Sequence, residues 1–365
     1  MDRRLREYFD WPLVSCVLTI MICGLVNLFS ATLTPGSPPD RLFWMQCAYA
    51  VVGLILMTMA TLVDYRVLER LAYPIYGLAV GLLLLVKVIG VARGGAQCWI
   101  SLGPVNFQPI EFAKLAIIIV LAKWFHDHPS ISGYRLWELI VPGIFVGVPV
   151  GLLIIQPDLG GAMLLLLLMG AIFLFVRIEI WTLSAAGVLA AVTAPLAYFF
   201  VLSPYQQDRI KVFLDPNLDP KGKGYNSIQS KIAIGAGEFF GRGWLNGTQS
   251  KLKFLPAHHT DFIFSVLAEE WGFVGCLAVL GLFFVLLYLG LRIARRSKER
   301  FGVILAFGLV AMFFWQIFVN VGGAMGLIPV TGVTLPFLSY GGSSLLMDFV
   351  AIGLLLNVGM RRFMF

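Results

Sequence analysis

The sequence predicts an all-α polytopic membrane protein of about ten transmembrane helices, with both termini cytoplasmic and one large structured outer loop between spans 7 and 8. Three observations predict it. Hydrophobic residues make up 59% of the chain and charged residues only 13%, whereas a soluble domain carries about 25% charge. Apolar runs close to the ~20 residues needed to cross a bilayer recur along the chain. Fifteen of the 27 Lys and Arg fall on segments that face inside if the N-terminus is cytoplasmic, while the short outer loops keep only Arg41 and Arg93. That asymmetry is the positive-inside pattern.

The spans follow in order at about 12–32, 44–62, 71–91, 111–125, 139–155, 159–176, 181–201, 263–290, 302–326 and 345–360. Arg3, Arg4 and Arg6 precede the first. That first run is long enough to be kept as a spanning helix rather than cleaved as a leader. The fourth and fifth are short or interrupted by Pro142 and Pro149. Mean hydropathy is +0.87 and no composition shift marks a second soluble unit, so residues 1–365 are expected to form one membrane domain. Cys16, Cys23, Cys47, Cys98 and Cys276 show no paired or metal-binding spacing and read as small hydrophobes.

The long outer loop, about 203–262, carries eight basic residues against five acidic ones. An excess of positive charge there suits anionic head groups or a phosphate-bearing ligand. Tyr225 to Ile234 spaces apolar residues as a helix does, and glycines at 235, 237, 241, 243 and 247 crowd the next stretch with turns. The loop is therefore expected to be ordered.

Its end, KLKFLPAHHTDFIFSVLAEE at 251–270, sets Asp261 where polar loop gives way to apolar helix. Thr260 or Asp261 could cap that helix. Capping does not explain why Asp261, Ser265, Ala268 and Glu269 fall on one helical face. From Asp261 to Trp271 is roughly 15 Å of helix at ~1.5 Å per residue, which puts the acid at the outer interface, within reach of a lipid-anchored substrate. Glu111 and Lys114 form an i, i+3 pair at the start of the fourth span. Ionisable groups inside a membrane point first to function, although Lys114 could also snorkel. Asp158 sits in the turn Gln156-Pro157-Asp158-Leu159-Gly160-Gly161, and Ser343 in the Gly-rich stretch 339–344, which could form an amide nest for an anion or merely break a helix. Gln316, Asn320 and Asp348 are polar within spans, and the amides are expected to hydrogen-bond between helices. The phosphate-loop, serine-hydrolase and zinc patterns are missing from the sequence, which argues against a nucleotide-driven pump.

Six motifs in this order resemble the SEDS family (shape, elongation, division and sporulation) over nearly the whole chain. They are FQPIEFAK (107–114), QPDLG (156–160), YQQDRIKVFLDP (205–216), GYNSIQSKIAIGAG (224–237), GWLNGTQSKLKFLPAHHTDFIFSVLAEEWG (243–272) and SYGGSS (339–344). GTQS followed by FLP is closer to the elongation branch than to the division branch. The resemblance implies a peptidoglycan glycosyltransferase on the outer face of the bacterial cytoplasmic membrane. It would polymerise lipid II beside a class B penicillin-binding protein of the elongation complex, with no nucleic-acid partner. It also implies that Asp261 is the catalytic aspartate and that Glu111 and Lys114 are the supporting intramembrane pair. Two positions depart from the family pattern: Ala257 stands where relatives often have Glu, and Cys98 where they often have Arg.

On that footing a carboxylate takes the proton from an attacking sugar hydroxyl, and positive charge meets the departing pyrophosphate. Arg209, Lys211, Lys231 and Lys114 are the candidates for that charge, with a divalent cation as a possible helper and no other cofactor expected. One base and a good leaving group favour single-step inversion. Two other readings stay open: a lipid II flippase, for which paired broken helices in symmetry-related halves would be expected, and a noncatalytic scaffold of the wall-synthesis complex.

Overall fold

The computed structural model describes residues 8–33, 40–93, 96–103, 105–200, 202–215, 218–219, 223–251 and 254–361. Arg3, Arg4, Arg6, Lys221, Lys253 and Arg362, used above in reading the charge pattern, lie outside them. The chain opens with α1 (Trp11–Thr32), α2 (Arg41–Leu62), the short α3 (Tyr65–Arg70) and α4 (Ala72–Ile89). After a small sheet come α5 (Pro109–Asp127), α6 (Ile140–Ile155), α7 (Leu159–Phe175) and α8 (Ile180–Phe200). The loop region holds α9 (Pro204–Leu214), α10 (Lys223–Ala236) and α11 (Thr248–Lys251). Three long helices close the chain: α12 (Ile263–Arg296), α13 (Arg300–Met325) and α14 (Gly342–Arg361).

The ten expected spans coincide with α1, α2, α4 to α8 and α12 to α14. Among the described residues eight helices are long and apolar enough to cross a membrane, the fifth of the ten counted as Leu136–Ile155. The other two are the 19-residue α5, which carries Glu111, Lys114, Lys123 and Asp127, and the 17-residue α7. In α13 and α14 most of the apolar window is buried, whereas none of it is in α8. The core therefore sits between α13, α14 and α5, and α8 stands at the rim.

One small feature stands beside the helices. Among the described residues between α4 and α5, a three-stranded antiparallel sheet forms from β1 (Val91–Arg93), β2 (Ala96–Leu102) and β3 (Val105–Phe107), in the order β1-β2-β3. Cys98 and Ile100 are buried on one face of β2 while Trp99 and Ser101 are more exposed, the alternation that strands produce. The run is too short and too Gly-interrupted to stand out against helical neighbours.

Among the described residues the outer loop carries α9, α10 and α11, and α10 docks onto the spans. Ser230 on α10 donates to Ala324 O at 2.6 Å and meets Ser265 Oγ at 2.7 Å, which ties α10 to both α13 and α12. A second tie is made of backbone. At Gly272 (φ 64°, ψ −163°) α12 breaks, leaving unsatisfied carbonyls on one side and amides on the other. The turn after α10 supplies both. Arg242 N and Gly243 N donate to Glu269 O and Glu270 O at 3.0 Å each, while Phe273 N and Val274 N donate to Glu238 O and Phe239 O at 2.9 and 3.1 Å.

Two glycines make this splice possible. A Cβ on Gly237 would lie 1.8 Å from Ala268 O, and one on Gly272 2.3 Å from Gly241 N. Gly272 also holds dihedrals that cost other residues about 1–3 kcal/mol. Gly272→Ala is therefore expected to destabilise the protein by at least about 2 kcal/mol, read as a lowered thermal midpoint in detergent. An unchanged midpoint would mean that the break is not under this constraint.

Candidate functional site

Asp261 is the last residue but one before α12. The bland role, capping, is not the one it plays: the N-cap is Phe262, and no side chain hydrogen-bonds to the open amides there. Asp261 instead lines a cavity of about 200 Å³ with Arg209, Val212 and Phe213 of α9, Asn226 and Ser227 of α10, and Ala257, Phe262, Ile328 and Val330. Elements distant in sequence converge there. Helix α9 is started by Ser203 and Gln206 in a reciprocal cap, with Pro204 in its first turn. That start sets Arg209 on the cavity side. Asn226 and Ser227 lie on the first turns of α10, the helix that Ser230 fastens to the spans.

Burial pushes the Asp261 carboxyl up to about 6, opposed by the Arg209 guanidinium and by a hydrogen bond from the Thr260 side chain. A carboxylate so tuned is half ionised near pH 6 and mostly ionised at neutral pH, where it can accept a proton. Burial and the neighbouring His258 push His259 below the usual imidazole range. Neither histidine is seen holding the acid: His258 Nδ1 contacts Leu255 O at 2.8 Å, and His259 packs edge-on against Tyr340.

Lys114 Nζ and Glu111 Oε2 pair at 2.6 Å, both buried, so Lys114 does not snorkel. Asp158 is the N-cap of α7 and accepts from Gly161 N at 2.9 Å. Burial raises its carboxyl, with Glu111 adding to the rise and Arg209 and Lys114 opposing it. Arg209 thus acts on both Asp261 and Asp158, and links the loop cavity to the intramembrane pair. Asp348, fully buried on α14, feels Lys114 and Glu111 as well. Sequence reading left it without a role; its i, i+4 partner Ser344 and its place beyond the Gly-rich stretch gave no sign of this neighbourhood.

The remaining candidates stand elsewhere. Ser343 is buried, donates to Asn106 O at 2.9 Å and accepts from Gln108 N at 3.2 Å, so its hydroxyl fastens the entry to α5. Lys211 is exposed and faces Asp208 at 3.9 Å. Lys231 is exposed, its side chain resting on Gly326 just past the end of α13, where a cation favours the helix terminus. Glu269 caps α11: its carboxylate accepts from Thr248 N at 2.6 Å and Gln249 N at 3.1 Å. Ala257 lies in the cavity wall, and Cys98 is buried, its thiol pushed up to about 12 by burial and by Asp158. Both departures from the family pattern therefore border the site.

Among the described residues, the three-ligand group within 4.8 Å is Glu69, His126 and Glu299, at the far end of α5 from Glu111. Lys123 and Arg66 already engage its carboxylates. Beside Asp261 the donors are one carboxylate, Asn226 and Ser227. Such a set suits a magnesium-like ion shared with a substrate's phosphates rather than an all-protein cage.

The Glu111–Lys114 pair yields a stability prediction. Lys114→Met leaves Glu111 buried without its cation and should cost about 3–5 kcal/mol, while Glu111→Gln combined with Lys114→Met recovers most of that loss. Thermal unfolding in detergent decides: equal damage from the single and the double variant would mean that the pair is not a pair energetically.

Comparisons with known proteins bear on the chain as a whole. The family model for FtsW, RodA and SpoVE, described as "Cell cycle protein", matches residues 10–363. The chain is 41% identical over 363 residues to the peptidoglycan glycosyltransferase MrdB of Escherichia coli (strain K12), covering 98% of this chain and 95% of that one. It is 32% identical over 426 residues to the peptidoglycan glycosyltransferase RodA of Treponema pallidum (strain Nichols), covering 97% and 98%. Among solved structures, the rod shape determining protein RodA of Thermus thermophilus superposes with a TM-score of 0.73 at 34% identity, over 97% of this chain and 98% of that one. A chain from work on the coordination of polymerization and crosslinking by a peptidoglycan synthase complex reaches 0.82 at 39% identity, with the same coverage.

Proposed function

The chain belongs to the FtsW, RodA and SpoVE family of cell cycle proteins, the SEDS family, and from that premise we propose how this peptidoglycan glycosyltransferase works. It polymerises lipid II at the outer face of the bacterial cytoplasmic membrane, in a ten-span topology with both termini inside. Its partner is a class B penicillin-binding protein that crosslinks the strands. The observation that carries the mechanism is the position of Asp261, a half-buried acid at the outer end of a spanning helix, sharing a cavity with Arg209.

An acceptor hydroxyl entering that cavity loses its proton to the Asp261 carboxylate as its oxygen bonds to the anomeric carbon of the donor sugar. The bond from that carbon to the pyrophosphate oxygen breaks, and the electron pair leaves with the lipid pyrophosphate. Arg209 is placed to meet the growing negative charge while keeping Asp261 ionised. Among the described residues Asp261 is the one carboxylate lining the cavity, which supports one-step displacement with inversion rather than a two-carboxylate covalent route. A divalent cation would share the neutralisation of the pyrophosphate when bound with substrate.

Lying about two pH units above an ordinary aspartate, the Asp261 carboxyl sets the acid limb of the rate. Turnover with lipid II is expected to be flat near neutral pH and to fall about tenfold per unit below pH 6, as protonation removes the base. Asp261→Asn should abolish glycan strands on a gel of labelled product; strands at the normal rate from that variant would end the general-base assignment. Arg209→Gln removes the opposing positive charge, so the acid limb should move to higher pH while turnover falls. A limb that stays put would separate Arg209 from Asp261.

A further inference from the structure

The segment His259 to Asp261 is a turn ahead of α12, with Thr260 N and Phe262 N donating to Ala257 O at 3.1 and 3.3 Å, and it carries the acid on which turnover rests. Three successive carbonyls of this segment are each taken by a separate donor. His259 O accepts from Tyr340 N at 2.9 Å, Thr260 O from Ser339 Oγ at 2.7 Å, and Asp261 O from Asn320 Nδ2 at 3.2 Å.

The donors come from two elements that the reading of Asp261 had not used. Asn320 lies on α13, and Ser339 on the non-helical stretch between α13 and α14. Their roles are fixed by hydrogen-bond arithmetic. The Ser339 hydroxyl accepts from Leu335 N at 2.9 Å, so its one proton is left for Thr260 O. Asn320 Nδ2 faces two carbonyls, Asp261 O and Val333 O at 2.8 Å, which settles which end of the amide points to them. Its Oδ1 is buried with no hydrogen-bond partner among the described residues. A buried amide that leaves its oxygen unmatched is not what packing alone would select. Asn320 and Asp261 also border a second void, of about 10 Å³, with Val319, Gly323 and Ala324.

We propose that Asn320 and Ser339 are positioning residues for Asp261, holding its backbone at a fixed height and angle over the cavity, so that the carboxylate meets the acceptor hydroxyl without reorganising. The inference rests on Asp261 being the general base. Neither side chain lines the cavity of about 200 Å³, so neither is a catalytic residue: each acts through the acid. An error near 1 Å in such placement costs roughly 100-fold in rate. It leaves substrate binding, which the cavity walls provide, in place.

The test uses the full-length protein and lipid II, with Asn320→Asp, Asn320→Leu, Ser339→Ala, Ser339→Thr and Asp261→Asn compared side by side. Asn320→Asp keeps the shape but cannot donate, and it brings a second carboxylate toward Asp261. Arg209 is the charged group that acts on Asp261 in the native protein, so the acid limb of Asn320→Asp should move to higher pH. Asn320→Leu and Ser339→Ala should lose about 10- to 100-fold in kcat with KM within about twofold of the parent. Ser339→Thr, which keeps the hydroxyl, should restore most of the rate. The inference is overturned if the Asn320 and Ser339 variants turn over normally while Asp261→Asn is inactive, a result that leaves the general-base reading standing. It is also overturned if kcat, KM and thermal midpoint all fail together and Ser339→Thr rescues nothing, since that marks a purely structural role. Activity in Asp261→Asn would remove the reading and the inference with it.

Discussion

A membrane helix that breaks along its length leaves backbone groups that neither lipid nor a side chain readily satisfies, and the break at Gly272 is completed by four hydrogen bonds with one turn of the outer loop. Much else follows from that splice. It fixes the turn after α10 to α12, so this part of the loop is bonded to a span and does not merely cover it. It lets Ile263 to Trp271 run at its own angle, independent of the longer span beyond. With Ser230 pinning α10 between α12 and α13, and Glu269 capping α11, the loop becomes a rigid wall of the cavity.

The charges of the site are arranged on two levels. Asp261 stands at the outer level beside the loop, and the ion pair of Glu111 with Lys114 lies inside the bundle, where a charge without a partner would be most costly. Arg209 acts on Asp261 and on Asp158, and Asp158 in turn feels Glu111 and Lys114. This layout separates two tasks. On the proposed mechanism the outer acid changes protonation during turnover, which asks for a raised carboxyl that is still mostly ionised at neutral pH. The inner pair is buried at 2.6 Å, each charge the other's partner.

Much of this could be read from the sequence, for physical reasons. The spans were legible because about 20 apolar residues in a row have few other fates, and the boundaries at 263, 302 and 345 fall within three residues of the helices that form. Asp261 was legible because a carboxylate at the start of an apolar helix is conspicuous. The sheet at 91–107 was not, since strands of three to seven residues carry too little periodicity. The uses of Lys211, Lys231 and Ser343 were hidden for another reason: a charge or hydroxyl in a motif names its chemistry, while its direction is set by the packing of distant elements. Asn320 shows the same limit from the other side. An amide in a span announced a hydrogen bond, but the sequence did not say that its partner would be the backbone of the acid itself.

That choice of partner bears on how a lone carboxylate can be both raised and precise. Burial is what raises Asp261, yet a half-buried loop residue would ordinarily lose that environment through its own motion. Fixing the acid through its side chain would spend the lone pairs needed to receive a proton. Holding the backbone at residues 259, 260 and 261 instead leaves the carboxylate accepting one bond from Thr260, with capacity left for the incoming hydroxyl. The stretch that supplies two of the three donors is irregular backbone between spans, tolerated at this depth because Leu335, Phe337 and Leu338 bury it in protein. Irregularity there is thus tied to the acid: a continuous helix through 326–341 would bond its own amides and leave none, such as that of Tyr340, to hold the segment that carries Asp261.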